Sequence, residues 1–285
     1  MASAPSPFSD LDRPPLREAA LTRALVRPGG LWRGIEVVDE LASTNTELVR
    51  RARGGTPGGH VLVTEHQTAG RGRLDRSFHT PNRAALTFSV LVRPDVPLER
   101  CGWLPLLMGA AATRGIGRVA ELTTTLKWPN DVLATGADGR ERKLAGILSE
   151  AESAGPAGPG FVIGMGLNVS QRRAELPVDT ATSLAVEEAP CVDRDPLLRA
   201  VLRAFAEYYE AWQACGGDAE QSGLAADYRA RCGTLGRAVR VHLPGDRTAE
   251  GEAMGVDAAG RLLVRDADGV DAVSAGDVVH VRPRE

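Results

Sequence analysis

The chain has 285 residues, enough for one large domain with a small one or for two ordinary domains, and a hydrophobic content of 43% supports a sizeable core. Its 34 Lys and Arg against 37 Asp and Glu leave a net charge of -3, which argues against a globally basic nucleic-acid or membrane-surface binder, so any basic site is local. Cys101, Cys191, Cys215 and Cys232 lack C-x-x-C spacing and nearby histidine pairs, which argues against a zinc site or a disulfide framework and favours the cytoplasm. The first residues hold no apolar signal core, and no later run of about 20 apolar residues is present to span a bilayer.

Residues 1 to about 15 are rich in Pro, Ser and Asp and read as mobile, with a short helix from Leu16 to Val26 stopped by Pro28-Gly29-Gly30. Gly34 to Leu41 reads as a strand. Ser43-Thr44-Asn45 then supplies cap residues for a helix running to Arg53. One cap satisfies the first-turn donors, so simple capping leaves polar side chains to spare. His60 to Thr64 and Ala85 to Val92 read as buried strands holding the run Gly70-Arg71-Gly72-Arg73-Leu74-Asp75-Arg76 between them. Glycines permit close backbone approach and guanidinium forks match phosphate or carboxylate oxygens, so this run suits an anion-gripping loop; a solvated basic hairpin turn is the competing reading.

Cys101 to Val119 carries apolar and small residues at helical spacing and reads as a core helix without chemistry. Pro129 interrupts Leu126 to Leu133, so one strand ends before it and another begins after Asp131. Asp138-Gly139 signals a hairpin turn, Lys143 to Glu150 returns as a strand, and Lys127 and Lys143 are expected on neighbouring strands. Phe161 to Val169 is a further strand whose Gly164 and Gly166 leave one face bare, for a neighbouring element or for a ligand. Helices follow from Pro196 to Trp212 and from Leu224 to Arg231. Beyond Gly233, five short strand-like runs fit a small β-barrel of about 50 residues.

Familiar signatures are missing. The third glycine of a dinucleotide fingerprint is replaced by Asp75 and a strand follows the run; there is no Walker pattern and no nucleophile elbow, and the five histidines show no catalytic pairing. What the chain does hold is Gln67-Thr68-Ala69-Gly70-Arg71-Gly72-Arg73, Lys127-Trp128-Pro129-Asn130-Asp131, Lys143 to Leu148 and Gly164 to Val169. In order and spacing these four blocks resemble the signature blocks of biotin protein ligases, and the resemblance runs from about Gly34 to the C-terminus.

The resemblance implies an α+β fold. Its catalytic domain, over 34–232, is expected to be a mixed sheet like that of class II aminoacyl-tRNA synthetases, followed by an SH3-like barrel over 233–285, with 1–33 a partly disordered extension. It implies ATP-dependent formation of biotinyl-5'-adenylate and transfer of biotin to a lysine of a biotin carboxyl carrier domain. Ser43, Thr44, Asn45 and Gln67 match the biotin pocket, and Gly70, Arg71, Gly72 and Arg73 match a loop closing over the ligand. Lys143 matches the lysine near the biotin carboxylate and the α-phosphate, with Arg73 as its catalytic companion. Arg76, Lys127, Trp128, Asn130, Asp131 and Asn168 fall on the nucleotide side.

Mg²⁺ is implied with ATP, its ligands left open, and a monomer or weak homodimer without DNA or membrane partners is expected. Relatives often carry glycine at Asp75 and tryptophan at Phe78, so lid freedom and packing are expected to differ here. A lipoate-type ligase on the same fold is the alternative; a biotin-responsive repressor is disfavoured, because about 33 residues precede the first core strand and leave no room for a winged helix. A pure binding module is the weakest reading.

Overall fold

The computed structural model describes residues 13–72, 78–243, 247–274 and 277–280. Helix α1 (Glu18–Leu25) leads into strand β1 (Gly34–Leu41), helix α2 (Thr44–Arg53), β2 (His60–Gln67) and β3 (Ala85–Val92). Helix α3 (Trp103–Ala120) is entered through a 3₁₀ turn that contains Cys101, then come β4 (Thr124–Lys127), β5 (Asp131–Thr135), β6 (Glu141–Glu152) and β7 (Gly160–Asn168). Helices α4 (Arg194–Ala214) and α5 (Leu224–Arg231) precede β8 (Ala238–Leu243), β9 (Arg247–Val256), β10 (Leu262–Arg265), β11 (Val270–Val273) and β12 (Asp277–His280). The elements expected from the sequence are present with small shifts at their ends.

Strands β1 to β7 form one mixed sheet in the order β1-β2-β3-β7-β6-β5-β4, parallel at β1/β2 and antiparallel elsewhere. One expectation fails here. Lys127 and Lys143 do not lie on neighbouring strands, because β5 pairs on one side with β4 and on the other with β6. The break at Pro129 makes a tight return, and the next partner of β5 is the strand across the Asp138-Gly139 turn.

Alternate residues of each strand face opposite sides of the sheet. On one side Val63, Leu86, Phe88, Ile163, Met165 and Leu167 join α3 and α4 in the main core. On the other, Leu62, Leu91 and Val162 pack against Leu48 and Ala52 of α2, which covers only part of that face. β3 is buried along its whole length, as a central strand between two layers requires. Each of these fully buried side chains stabilises the fold by about 1.5–3 kcal/mol.

The five C-terminal strands form an antiparallel sheet in the order β11-β10-β9-β8-β12. It shares the main core through Val239, Val241, Leu262 and Val264. The indole N–H of Trp103 donates to Asp257 O and that of Trp128 to Gly260 O, each at 3.1 Å, and Arg237 grips Glu141 of β6 with two hydrogen bonds of 2.8 and 2.9 Å. No helix among the described residues is long and apolar enough to cross a membrane.

Arg13 and Pro14, within the stretch read as mobile, are tied down. Arg194, at the start of α4, donates to Pro14 O at 2.7 Å and forms an ion pair with Glu65 of β2; Glu65 also accepts from Leu16 N at 2.6 Å. Glu65 and Arg194 are both buried.

Candidate functional site

The half of the sheet face that α2 leaves uncovered floors a cavity of about 660 Å³. Its floor is bare because β7 presents Gly164 and Gly166 there and β6 presents Gly146 opposite Gly166. A Cβ at Gly164 would stand 2.0 Å from Oδ1 of Asn45, and one at Gly166 would stand 2.6 Å from the ring of Phe78. Neighbouring side chains thus press against the bare face, as the first reading expects, and line the cavity together with it.

One end of the cavity is the N-terminus of α2. Ser43 is the cap, accepting from Thr46 N at 3.4 Å, so Thr44 and Asn45 are the spare polar groups. Thr44 donates to Gln67 Oε1 from its N–H at 2.9 Å and from its hydroxyl at 3.2 Å. Asn45 is held on both sides of its amide: Nδ2 donates to Leu148 O at 3.1 Å and to Glu150 Oε2 at 2.9 Å, while Oδ1 accepts from the Ser89 hydroxyl at 2.6 Å. These buried polar groups form a mutually satisfied network, which fixes their orientation before any ligand enters.

At the other end stands Lys143. A bulge between β5 and β6 leaves Leu144 without a partner on β5, which shifts the parity so that Lys143, Asp131 and Gly146 share the cavity face. Nζ of Lys143 is 2.6 Å from Asp131 Oδ1, and its tip lies over Gly146, where a Cβ would meet Cε at 3.1 Å. Asn130 donates from Nδ2 to Ile147 O at 3.1 Å, closing the strand junction against β6.

The wall on this side is the segment after β7. Asn168 donates to Thr182 O at 2.8 Å and accepts from Gln171 Nε2 at 2.9 Å. Lys143 is bracketed by the same segment, its N–H donating to Thr180 O and its carbonyl accepting from Thr182 N, both at 2.8 Å. Glu175, Leu176, Pro177 and Val178 line the cavity from this wall. Burial works to raise the Glu175 carboxyl, but Arg13 and the backbone N–H of Arg172 outweigh it and hold the group below the usual carboxylate range.

Of the residues singled out from the sequence, Ser43, Thr44, Asn45, Gln67, Arg71, Gly72, Asn130, Asp131, Lys143 and Asn168 line this one cavity. Arg73 and Arg76, with Asp75, lie outside the described residues. Gly70 stands at the neck of the arginine run, where its carbonyl accepts from Phe78 N at 2.9 Å. Lys127 and Trp128 do not line the cavity; Trp128 is buried in the core, its indole spent on Gly260. The sequence reading missed Ser89, Glu150, Gln171 and Glu175. Glu150 also forms an ion pair of 3.3 Å with Arg71, joining the arginine run to the α2 end. Residue alternation along β3 and β6 was the one local signal for Ser89 and Glu150.

This architecture agrees with comparisons to known proteins. Residues 37–168 match the model of the biotin/lipoate A/B protein ligase family, and residues 234–281 match that of the biotin protein ligase C-terminal domain. A biotin--[acetyl-CoA-carboxylase] ligase of Mycobacterium tuberculosis is 42% identical over 95% of this chain and 97% of its own length. The bifunctional ligase/repressor BirA of Bacillus subtilis is 32% identical over 84% of this chain and 72% of its own. Among solved structures, a biotin protein ligase from Aquifex aeolicus in complex with biotin and ATP superposes with a TM-score of 0.68 at 25% identity, covering 88% of this chain and all of that one. The chain belongs to the biotin protein ligase family.

Proposed function

We propose that the chain joins biotin to ATP as biotinyl-5'-adenylate and then passes biotin to a lysine of a biotin carboxyl carrier domain. The observation that carries this reading is that one cavity holds a preset hydroxyl and amide end and a lysine end on the same bared strand face. A ureido ring carries one acceptor and two donors, and Ser43, Thr44, Asn45 and Gln67 offer both kinds of partner. The apolar tail then runs over Gly164, Gly166 and Gly146, and the carboxylate arrives at Lys143.

In the first step a biotin carboxylate oxygen attacks the α-phosphorus, the bond to the bridging oxygen breaks, and pyrophosphate leaves with the electron pair. Charge grows on the phosphoryl oxygens, and a fixed cation at Lys143 stabilises it without reorganisation. Arg73 is assigned the companion role, and Arg71, Gly72, Asn130, Asp131, Asn168 and Arg76 the surrounding contacts. In the second step the acceptor amine attacks the acyl carbonyl, loses a proton, and AMP leaves. The anhydride is already activated, so positioning and exclusion of water are the main demands.

Mg²⁺ enters with ATP as the counter-ion of its phosphates. Among the described residues no three His, Cys, Asp or Glu side chains gather as a metal site, and the cavity carboxylates Asp131 and Glu175 are each paired with a cation. The ATP phosphates would themselves supply most of the ligands of such an ion. We divide the chain at 232/233, where helix gives way to antiparallel strands, and assign it to the cytoplasm on its four free thiols.

The test is incubation of the purified chain with ATP, Mg²⁺, biotin and a carrier domain, followed by intact-mass measurement of the carrier. A biotinyl adduct is expected; no adduct, or a lipoyl adduct formed in preference when lipoate is supplied, overturns the reading.

A further inference from the structure

The wall segment after β7 is hinged at both ends by buried hydrogen bonds, Asn168 to Thr182 at one level and the Ser183 hydroxyl to Gln171 O at 2.6 Å at the next. Between the hinges the crest rises over the cavity, and Val178 there is 54% exposed. Arg13 reaches this crest from another part of the chain. Its Nη2 donates to Ser170 O at 3.0 Å and to Glu175 Oε2 at 2.6 Å, and the same Glu175 oxygen accepts from Arg172 N at 2.8 Å. Arg13 and Glu175 are separated by 162 positions in sequence.

Arg13 does not dangle. The next residues are Pro14 and Pro15, whose fixed φ stiffens the backbone. Pro14 O and Leu16 N are both captured by the buried pair of Arg194 and Glu65. The N-terminal segment is thus clamped to β2 and α4 and delivers one guanidinium to the crest. From there the crest runs to Thr180 and Thr182, which bracket Lys143.

We propose that Arg13 is a positioning residue for the Lys143 end of the cavity, acting through Glu175 to hold the 172–178 crest in place around the nucleotide. The inference rests on the reading that ATP occupies that end. The α2 end is independent of Arg13, because Thr44 and Asn45 are fixed by Gln67, Ser89, Leu148 and Glu150. Loss of the contact therefore acts selectively, weakening ATP binding and loosening adenylate retention while sparing biotin. Hydrogen bonds to charged groups are strong enough that a change of roughly tenfold is expected.

The experiment compares the full-length wild type with Arg13→Ala, Arg13→Lys, Glu175→Gln and the double variant Arg13→Ala with Glu175→Gln, reading KM for ATP and for biotin, release of biotinyl-adenylate after gel filtration, and calorimetric affinity for a non-hydrolysable ATP analogue. Arg13→Ala and Glu175→Gln are expected to raise KM for ATP and speed adenylate release about tenfold with biotin KM within about twofold, the double variant being no worse than either single one. Arg13→Lys is expected to recover part of the loss. Unchanged ATP affinity and retention in Arg13→Ala, or an equal loss for ATP and biotin accompanied by a lowered melting temperature, overturns the proposal. A wild type that binds the ATP analogue but makes no biotinyl-adenylate overturns the reaction reading alone, and one that binds no analogue overturns both.

Discussion

Nζ of Lys143 stands 2.6 Å from Oδ1 of Asp131, although the two residues occupy different strands and would face opposite sides of the sheet without the bulge at Leu144. The pair keeps the ammonium aimed into the cavity while half of its side chain remains open to a ligand. Lys143→Met is expected to lower the rate of adenylate formation by about 10²–10³, the cost of removing one preorganised donor to a developing oxyanion. Asp131→Asn keeps the shape and the cation and is expected to cost less. Single-turnover pyrophosphate release measures both, and an equal loss in the two variants would mean that the pair acts as one unit.

Gly164 is where the floor of the cavity meets Asn45. A methyl there would stand 2.0 Å from Oδ1 and 3.0 Å from the Ser89 hydroxyl, so Gly164→Ala must push the amide out of its network. Overpacking of this kind costs about 1–3 kcal/mol. Calorimetric titration is expected to show biotin affinity lowered at least tenfold with ATP affinity little changed. Gly166→Ala is expected to be milder, because its obstacle is the ring edge of Phe78, which can turn.

The Glu65 and Arg194 pair is buried, with side chains 2% and 5% exposed. Breaking a buried pair from one side leaves an uncompensated charge and costs about 3–5 kcal/mol. Arg194→Met is expected to lose that much in urea unfolding at neutral pH, and adding Glu65→Gln is expected to return part of it. A loss below about 1 kcal/mol in the single variant would contradict the assignment.

His280 faces Thr234, Arg237, Glu141 and Lys127 at the junction of the two sheets; burial, then Arg237 and Lys127, push its imidazole below the ordinary range. The unfolded chain therefore takes up this proton first, near the ordinary value of about 6.5. The linked stability is intact above that pH and falls as the pH drops through it toward the lower folded value. Melting curves between pH 7.5 and about pH 5.5 are expected to show a smaller decline for His280→Gln than for the wild type.

Much of this was legible locally. Pro129 marks the β4/β5 return, Ser43 marks the start of α2, and the glycines of β7 mark a face left clear. What was not legible depends on partners far apart in sequence. Lys127 and Lys143 share a motif spacing but not a strand boundary, because β5 pairs between them. Trp128 sits inside a signature block, yet its indole is committed to a turn 132 positions later. Glu150 and Glu175 owe their places in the site to distant partners, since the fold brings Asn45 to one and Arg13 to the other, and no local pattern names those partners.

The two tryptophan N–H bonds into residues 257–260 have a mechanical meaning. Trp128 ends its indole on the β9/β10 turn and its backbone N–H on the Thr234 hydroxyl, and two residues further along the chain stands Asn130, which lines the cavity. A shift of that turn would be carried by the buried Trp128 indole to the strand junction at Asn130, so the C-terminal sheet and the cavity wall are mechanically coupled through one side chain.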